Sequence, residues 1–222
     1  MKRIFDIIMS LIAMIILTPI LLPVMIGLRF TGEGKVFYFQ ERIGRDNQPF
    51  FITKFATMLE NSPNIGSGEH TLQNDPRVLP MGKFLRKSKI NELPQFWDIF
   101  VGKMSWVGPR PTTPSHFSLY PAFYQDVMMG LTPGLTGIGS IIFRDEESIL
   151  SKAVDYEHCY THEIVPYKAE VEKWYKENRS FVMDIVLMFL TAWVIIFPKS
   201  NALFKIFPNI PYLELYNFGK EV

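Results

Sequence analysis

Residues 82–111 read GKFLRKSKINELPQFWDIFVGKMSWVGPRP, and this stretch decides how the rest of the chain is interpreted. It contains a basic cluster, a helix start, a helix stop and a rigid Gly-Pro-Arg-Pro turn. Asn91 is a good N-cap, and Pro94 then falls in the first helical turn, where proline is tolerated. The sequence therefore predicts a short helix that begins at Asn91 and ends near Gly102.

Charge is distributed unevenly along the chain. Residues 77–110 carry seven Lys or Arg against two acids, a net charge of +5, whereas the whole chain is only +1. Residues 145–177 carry nine acids against four lysines, a net charge of −5. This asymmetry indicates a face for an anionic ligand, with a basic collar beside a membrane as the alternative. Arg86 and Arg110 are the stronger phosphate candidates because a guanidinium can bind phosphate through two hydrogen bonds.

The first apolar segment, residues 7–28, has 22 residues and no charge, close to the ~20 residues that cross a bilayer core. Thr18-Pro19 and Pro23 lie inside it, and proline removes an N–H donor and clashes with the preceding turn. Cationic residues flank both ends, which favours the cytoplasmic side for both. We therefore predict a re-entrant helix-break-helix over residues 1–30, broken near Thr18-Pro19, with a single-pass helix as the alternative.

A second apolar run covers residues 181–197, at the lower edge of spanning length. We predict that it packs on the domain or lies in the membrane interface, with a second transmembrane helix as the alternative. Residues 31–222, including this helix, are predicted to form one cytoplasmic catalytic domain. The fold class is α+β, predominantly helical with a small sheet, as a monotopic membrane protein.

Between the apolar runs, two short segments are rich in β-forming residues. Residues 36–40 and 50–53 flank turn-forming residues 44–49 and predict a β-hairpin. Residues 61–75 are rich in Gly, Ser and Asn and predict a mobile loop.

The motifs resemble those of the bacterial sugar transferases, also called monotopic phosphoglycosyl transferases. The core motif is LRKSKINELPQFWDIFVGKMSWVGPRP at residues 85–111. Further matches follow in family order: KRIFD at 2–6, QERIG at 40–44, KFATM at 54–58, DPRVLPMGKFLRK from 75 and PGLTG at 133–137. The resemblance covers about residues 2–195.

The resemblance implies an activity and a cofactor. Family members transfer a sugar 1-phosphate from a UDP-sugar to a polyprenyl phosphate such as undecaprenyl phosphate, release UMP and need Mg2+. The reaction is the first membrane step in assembling an O-antigen, capsule, exopolysaccharide or glycoprotein glycan. The family uses an adjacent Asp-Glu dyad, whose aspartate attacks the β-phosphorus.

In this chain the dyad position reads Asn91-Glu92, so the aspartate is replaced by an asparagine. An amide is neutral and a poor oxygen nucleophile, although it can accept and donate hydrogen bonds. Three alternatives follow. Glu92 takes over the role, or the lipid phosphate attacks directly while Glu92 holds Mg2+, or the chain is an impaired relative. An impaired relative would bind nucleotide sugar or lipid phosphate, or recruit glycosyltransferases.

The predicted site consists of a catalytic pair and five cationic ligands. Asn91 and Glu92 form the pair, and Glu92 is the predicted metal ligand. The predicted phosphate or substrate ligands are Arg86, Arg110, Lys54, Arg144 and Arg42. Of these, Lys54, Arg144 and Arg42 rest on the resemblance, and a solvated side chain is the alternative for Lys54. Asp75 and Arg77 are predicted to pair as structural support.

The predicted partners are UDP-sugar, polyprenyl phosphate and membrane lipid, with a homo-oligomer left open. Two apolar segments argue against nucleic acid as the ligand of the basic patch. The predicted location is the bacterial cytoplasmic (inner) membrane, with the catalytic domain on the cytoplasmic face. One cysteine in 222 residues excludes an internal disulfide and agrees with a reducing compartment.

Overall fold

The computed structural model describes residues 1–65, 75–150 and 153–211. The chain forms two compact units. The first comprises Met1–Lys2, Arg42–Phe50 and Lys103–Val222, and the second comprises Arg3–Glu41 and Phe51–Gly102. The described residues are mostly helical, with two small two-stranded sheets. The predicted α+β class with a helical majority is confirmed.

The elements of the described chain alternate short helices with short strands. The helices are α1 (Lys2–Arg29), α2 (Pro80–Lys87), α3 (Gln95–Val101), α4 (Pro114–Phe117), α5 (Phe123–Met128), α6 (Ile138–Ile142), α7 (Glu146–Leu150), α8 (Tyr156–His158), α9 (Val165–Asn178), α10 (Phe181–Ile196) and α11 (Ala202–Ile206). The strands are β1 (Phe37–Ile43), β2 (Pro49–Phe55), β3 (Ser105–Val107) and β4 (Gly134–Thr136). A π-helical segment, Cys159–Ile164, leads from α8 into α9.

Helix α1 is continuous across the predicted break. Pro19 and Pro23 both lie inside the helix, so a break near Thr18-Pro19 is not observed. The Thr18 hydroxyl, directly before Pro19, donates a 2.8 Å hydrogen bond to the Met14 carbonyl. Within the described chain, α1 alone is long and apolar enough to cross a bilayer by length and composition, with a mean hydropathy of 2.6 in its most apolar window.

Both ends of α1 are held by the second unit. Arg3 donates two 2.6 Å hydrogen bonds to carbonyl oxygens near the end of α3. Val24 and Leu28 join a buried cluster with Phe55 and Leu85. Between these ends α1 exposes a stripe of apolar side chains: Ile4, Ile8, Leu11, Ile12, Ile15, Ile16, Ile20, Leu22 and Ile26. Spacings of three and four residues place most of this stripe on one face of the helix.

Helix α10 covers most of the second predicted apolar run. One face, with Leu187, Leu190 and Val194, belongs to the main core of the first unit. The remaining face exposes Phe189 and Trp193 to the surroundings. The run therefore packs on its unit, which is one of the placements that the sequence predicted, and it also presents an apolar outer face.

The predicted hairpin is confirmed as β1 and β2, both longer than expected. The turn places Asp46 and Asn47 at φ of 57° and 60°, a left-handed conformation that these residue types tolerate. Asp46 Oδ1 accepts a 2.7 Å hydrogen bond from the Gly130 N–H, which fixes the tip of the hairpin within the first unit. Of the loop predicted at residues 61–75, residues 66–74 lie outside the described chain.

Candidate active site

The chain turns tightly at the Asn91-Glu92 pair before α3 begins. Lys89 adopts a left-handed conformation with φ of 60°, and a 3-10 turn follows at Ile90–Glu92. The Glu92 N–H donates to the Lys89 carbonyl at 3.1 Å. The prediction that Asn91 caps α3 is therefore wrong, because Asn91 lies within this turn and α3 starts only at Gln95. Glu92 accordingly lies before the helix rather than in its first turn.

The two members of the pair differ in their exposure. Asn91 is 7% exposed, and its Oδ1 is buried with no hydrogen-bond partner in the described part of the chain. Leaving such an acceptor unpaired costs about 1–3 kcal/mol. Glu92 is half-buried. The Asn91 amide is thus buried, whereas the Glu92 carboxylate is partly exposed.

A buried carboxylate on α3 holds the strand that carries Lys54. Asp98 is fully buried and accepts hydrogen bonds from the Thr53 N–H at 2.7 Å and the Thr53 hydroxyl at 3.0 Å. The next residue, Lys54, donates to Gln40 Oε1 at 3.0 Å. Asp98 therefore links α3 to the part of β2 that carries Lys54, a role that the sequence did not predict.

Helix α2 presents Arg86 and needs a glycine to pack. A Cβ on Gly82 would lie 2.1 Å from the Thr57 carbonyl oxygen, so only glycine allows this approach between helix and backbone. Arg86 lies in the last turn of α2, and its Nη1 donates to Met58 Sδ at 3.4 Å. The Lys89 N–H then donates to the Arg86 carbonyl at 3.2 Å, which ties α2 to the Asn91-Glu92 turn.

Asp75 and Arg77 form a structural pair, as the sequence predicted. Both side chains are buried, and the Arg77 Nη2 lies 2.6 Å from Asp75 Oδ2. The same guanidinium donates 2.7 Å bonds to the carbonyls of Ser62 and Ile65. The hydrogen bond to Asp75 raises the pKa of Arg77. These contacts use the guanidinium to fix local backbone.

In the first unit, two loops pack together to present Arg110. Strands β3 and β4 run parallel, with Val107 beside Thr136. The Gly108 N–H donates to the Thr136 carbonyl and the Gly134 N–H donates to the Pro109 carbonyl, both at 2.9 Å. We call residues 108–111 the Arg110 turn; within it Arg110 is exposed.

Glycines allow the residues on both sides of β4 to approach the Arg110 turn. A Cβ on Gly108 would lie 2.2 Å from the Thr132 carbonyl oxygen, and one on Gly137 would lie 2.2 Å from the Gly108 carbonyl oxygen. The GPRP and PGLTG motifs therefore form one structural feature, because neither backbone leaves room for a side chain at these points.

Of the other predicted arginines in this unit, Arg42 adjoins the Arg110 turn and Arg144 is engaged elsewhere. Arg42 Nη1 donates to the Pro111 carbonyl at 3.3 Å, next to the bridge between Ile43 and Thr112. Arg144 pairs with Asp145 and donates to a carbonyl of α10. The contacts of Arg144 thus anchor α10 and bring it to neither of the other two arginines.

A further network of the first unit links the start of α1 to α10. Lys2 Nζ lies 2.5 Å from Asp184 Oδ2 and donates to the Val107 carbonyl at 2.8 Å. The Tyr175 hydroxyl donates to Asp184 Oδ1 at 2.6 Å. Burial, followed by Asp184, raises the pKa of Tyr175 well above its ordinary value. Because Val107 precedes the Arg110 turn, this network steadies the strand from which the turn emerges.

The oxygen donors of the Asn91-Glu92 turn are of the type that Mg2+ takes. Magnesium is bound by one or two carboxylates together with waters and substrate phosphates. The Glu92 carboxylate and the unpaired Asn91 Oδ1 fit such a set. Within the described ranges no group of three or more His, Cys, Asp or Glu is placed to hold a metal.

Comparison with known proteins gives the family. The model of the bacterial sugar transferases matches residues 1–198. The chain belongs to this family. The enzyme class predicted from the sequence is thereby confirmed at family level.

Two relatives illustrate the range of this similarity. The UDP-glucose:undecaprenyl-phosphate glucose-1-phosphate transferase of Klebsiella pneumoniae is 34% identical over 197 residues, which cover 86% of this chain and 39% of that protein. The exopolysaccharide production protein ExoY of Sinorhizobium fredii is 33% identical over 204 residues, covering 86% of this chain and 83% of that protein. This bacterial sugar transferase therefore spans about two fifths of the length of the first relative and most of the second.

Within the bacterial sugar transferase, the predicted residues fall into separate groups. In the second unit, hydrogen bonds connect the elements that carry Arg86, Asn91 and Glu92, and Asp98 ties in the strand of Lys54. In the first unit, Arg42 adjoins the turn of Arg110. Each group collects cationic side chains around a rigid turn, which suits the binding of phosphate.

Proposed function

We propose that this bacterial sugar transferase transfers a sugar 1-phosphate from a UDP-sugar to a polyprenyl phosphate and releases UMP. The reactions named for the relatives support this proposal. The observation that carries the choice of catalytic group is the contrast between a buried Asn91 amide and a half-buried Glu92 carboxylate. We assign Glu92 as the essential carboxylate and the arginines as phosphate ligands. The product would be the first lipid-linked intermediate of a surface glycan.

The transfer runs, in this proposal, by direct attack of the lipid. A phosphate oxygen of the polyprenyl phosphate bonds to the β-phosphorus of the UDP-sugar, and the bond from that phosphorus to the oxygen bridging to UMP breaks. UMP leaves with the bonding electron pair. Phosphoryl transfer depends mainly on positioning and charge stabilisation, which guanidinium groups such as that of Arg110 supply. A neutral amide at residue 91 cannot take the part of an anionic nucleophile.

Glu92 and the Asn91 carbonyl would hold Mg2+ together with substrate oxygens. When bound, the cation would offset the negative charge of the diphosphate. Asp98 is fully buried and bonded to Thr53, so Glu92 is the more exposed of the two carboxylates in residues 82–111. A carboxylate that binds the cation is not free to attack phosphorus, which favours the direct route over a covalent intermediate on Glu92.

The protein is proposed to sit in the bacterial inner membrane with both ends of α1 on the cytoplasmic side. The supporting observation is that Arg3 and Leu28, at opposite ends of the helix, both contact the second unit. A helix held at both ends by one folded unit can insert its apolar stripe into one leaflet. Such a re-entrant placement, without a break in the helix, would bring the polyprenyl phosphate headgroup to the protein.

The test is the lipid dependence of UMP release from UDP-glucose and Mg2+ in the wild type and in Asn91→Asp. Direct attack predicts that the wild type releases UMP only when undecaprenyl phosphate is present. Asn91→Asp restores the family's nucleophile, so it should release about one equivalent of UMP per enzyme without lipid. A burst of the same size from the wild type would overturn the direct route and favour a covalent Glu92.

A second candidate is a relative that binds substrate without turning it over, favoured by the same replacement at Asn91. Calorimetry of UDP-sugar binding, with and without Arg110→Ala, separates this candidate from the first. Binding without UMP release by the wild type, with release regained in Asn91→Asp, would establish the non-catalytic alternative.

A further inference from the structure

Glu172 is a buried carboxyl group that the proposed chemistry does not use. It lies on α9, is 4% exposed, and receives a hydrogen bond from the Gly139 backbone of α6. A Cβ on Gly139 would lie 2.6 Å from Glu172 Oε1, so the contact requires glycine. Glu172 Oε2 is buried and has no hydrogen-bond partner among the described residues. One oxygen of this carboxyl is thus satisfied and the other is not.

The surroundings of Glu172 favour a neutral acid. Burial raises its pKa to about 8, although the Gly139 hydrogen bond and the charge of Lys168 act in the opposite direction. Lys168 is itself bonded to the Glu146 carboxylate at 2.8 and 2.9 Å, so much of its charge is balanced. The titratable groups that interact with Glu172 lie on α9 and around α5, and α6 adds the Gly139 N–H. These groups are Lys168, Tyr175, Tyr120 and Tyr124.

Helix α6 connects Glu172 to the Arg110 turn. Its residues Ile138, Ile141 and Ile142 are buried in the core of the first unit, so the helix moves only with its surroundings. Gly137 directly precedes α6 and touches the Gly108 carbonyl so closely that a Cβ would lie 2.2 Å from that oxygen. Because backbone meets backbone here, a shift of the start of α6 toward Gly108 would be transmitted to the Arg110 turn.

We propose that Glu172 is a positioning residue of the phosphate site, whose protonated carboxyl fixes the first turn of α6 and thereby the Arg110 turn. The neutral acid accepts the Gly139 bond at little cost, whereas an anion with a single partner is strongly disfavoured in the core. The inference rests on the proposed role of Arg110 in binding phosphate.

The sign of the pH effect follows from the raised pKa. The folded-state pKa of Glu172, about 8, lies above its ordinary value of 4.5. The stabilising contribution is therefore fully present below pH 4.5 and is lost as the pH rises through about 8. The Arg110 turn should loosen as the folded-state carboxyl ionises, at pH values around 8 and above.

The experiment compares the full chain in detergent with Glu172→Gln, which keeps the shape of the neutral acid. Glu177→Gln, at an exposed position of the same helix, is the matched control. Hydrogen exchange of residues 105–112 and 134–142 is measured at pH 6.5 and pH 9. We expect wild type and Glu172→Gln to agree at pH 6.5. At pH 9 the wild type should exchange severalfold faster than Glu172→Gln in both segments.

Enzymatic turnover gives a second readout. The kcat/KM for UMP release from UDP-glucose should fall about tenfold between pH 7 and pH 9 in the wild type, the ratio of protonated fractions for a pKa of about 8. The kcat/KM of Glu172→Gln should be nearly the same at pH 7 and pH 9, whereas the kcat/KM of Glu177→Gln should fall as in the wild type.

Identical exchange of wild type and Glu172→Gln at pH 9 would overturn the proposal, whatever the activity. An exchange difference without UMP release from any variant would support the positioning role and remove the proposed function instead. If Glu172→Gln does not fold, Gly139→Ala replaces it, because its Cβ would displace the Glu172 carboxyl. Faster exchange of residues 105–112 in Gly139→Ala at pH 6.5 supports the coupling, and unchanged exchange contradicts it.

Discussion

At residue 91 a single atom type separates this chain from the mechanism that its family resemblance implies. The amide nitrogen of Asn91 replaces a carboxylate oxygen, and the remaining carbonyl oxygen is buried without a partner in the described chain. The neighbouring Glu92 keeps the carboxyl side chain of the family pair in a half-buried position. In the proposed reaction, the lipid phosphate is therefore the anion that attacks phosphorus.

Asp98 offers a test of how the site is held together. Asp98→Ala removes the acceptor of the Thr53 N–H and hydroxyl, which are buried, so we expect a loss of about 3 kcal/mol in the free energy of unfolding. The apparent Tm in detergent should fall by about 6–12 °C for a chain of this size.

Asp98→Asn is the matched variant because its carbonyl still accepts one of the two hydrogen bonds. It should lose less than half as much stability as Asp98→Ala. Equal losses in the two variants would show that the hydrogen bonds to Thr53 contribute little.

Some features of single residues could be predicted from the sequence alone. The pairing of Asp75 with Arg77 and the αL stop at Gly102, with φ of 95°, follow from local spacing and are confirmed. The contact between Glu172 and Gly139 joins residues 33 positions apart, and no local pattern indicates it.

At the scale of elements, α2 depends on a close approach of backbones. Gly82→Ala gains about 1 kcal/mol in helix propensity, but its Cβ would lie 2.1 Å from the Thr57 carbonyl oxygen. Relieving such an overlap costs about 1–3 kcal/mol or more, so the clash wins. We expect a lower Tm and a raised KM for UDP-sugar, because Arg86 lies one turn further along the helix.

Lys83→Ala is the control for this change, since Lys83 is an exposed neighbour on α2. Its effect on stability should stay within about 0.5 kcal/mol. A Gly82→Ala protein as stable as Lys83→Ala would contradict the close approach.

Two sequence predictions about the helices are wrong, the N-cap at Asn91 and the break in α1. Asn91 has the residue type of an N-cap, but the left-handed Lys89 starts a 3-10 turn that uses Asn91 before α3 begins. Prolines in α1 predicted a break, whereas the helix continues through both. In each case the structural preference of one residue type was outweighed by the backbone conformation of the neighbouring residues. The hairpin was predictable because its turn and alternating strands are purely local signals.

At the scale of the whole molecule, the placement of α1 decides how the protein would meet the polyprenyl phosphate of the proposed reaction. Of the apolar side chains of α1, only Val24 and Leu28 are buried by the described residues, and the others are exposed or half-buried. Contacts from both ends to one unit favour a re-entrant placement over a single pass.

Cysteine labelling tests this placement in a Cys159→Ser background, which removes the native thiol. One variant adds a cysteine before Met1, and the other carries Lys35→Cys. Neither should react with an impermeant maleimide in intact cells, and both should react after permeabilisation. Labelling of one end from outside would establish a single pass and remove the re-entrant placement.

The most direct test of the proposed function is UMP release by the wild-type chain mixed with UDP-sugars, Mg2+ and undecaprenyl phosphate. The proposed function predicts steady release with at least one UDP-sugar and complete dependence on the lipid. The rate of release should fall about 100-fold or more in Glu92→Gln, typical of removing an essential group. Release that persists in Glu92→Gln, or no release with any UDP-sugar, would contradict it.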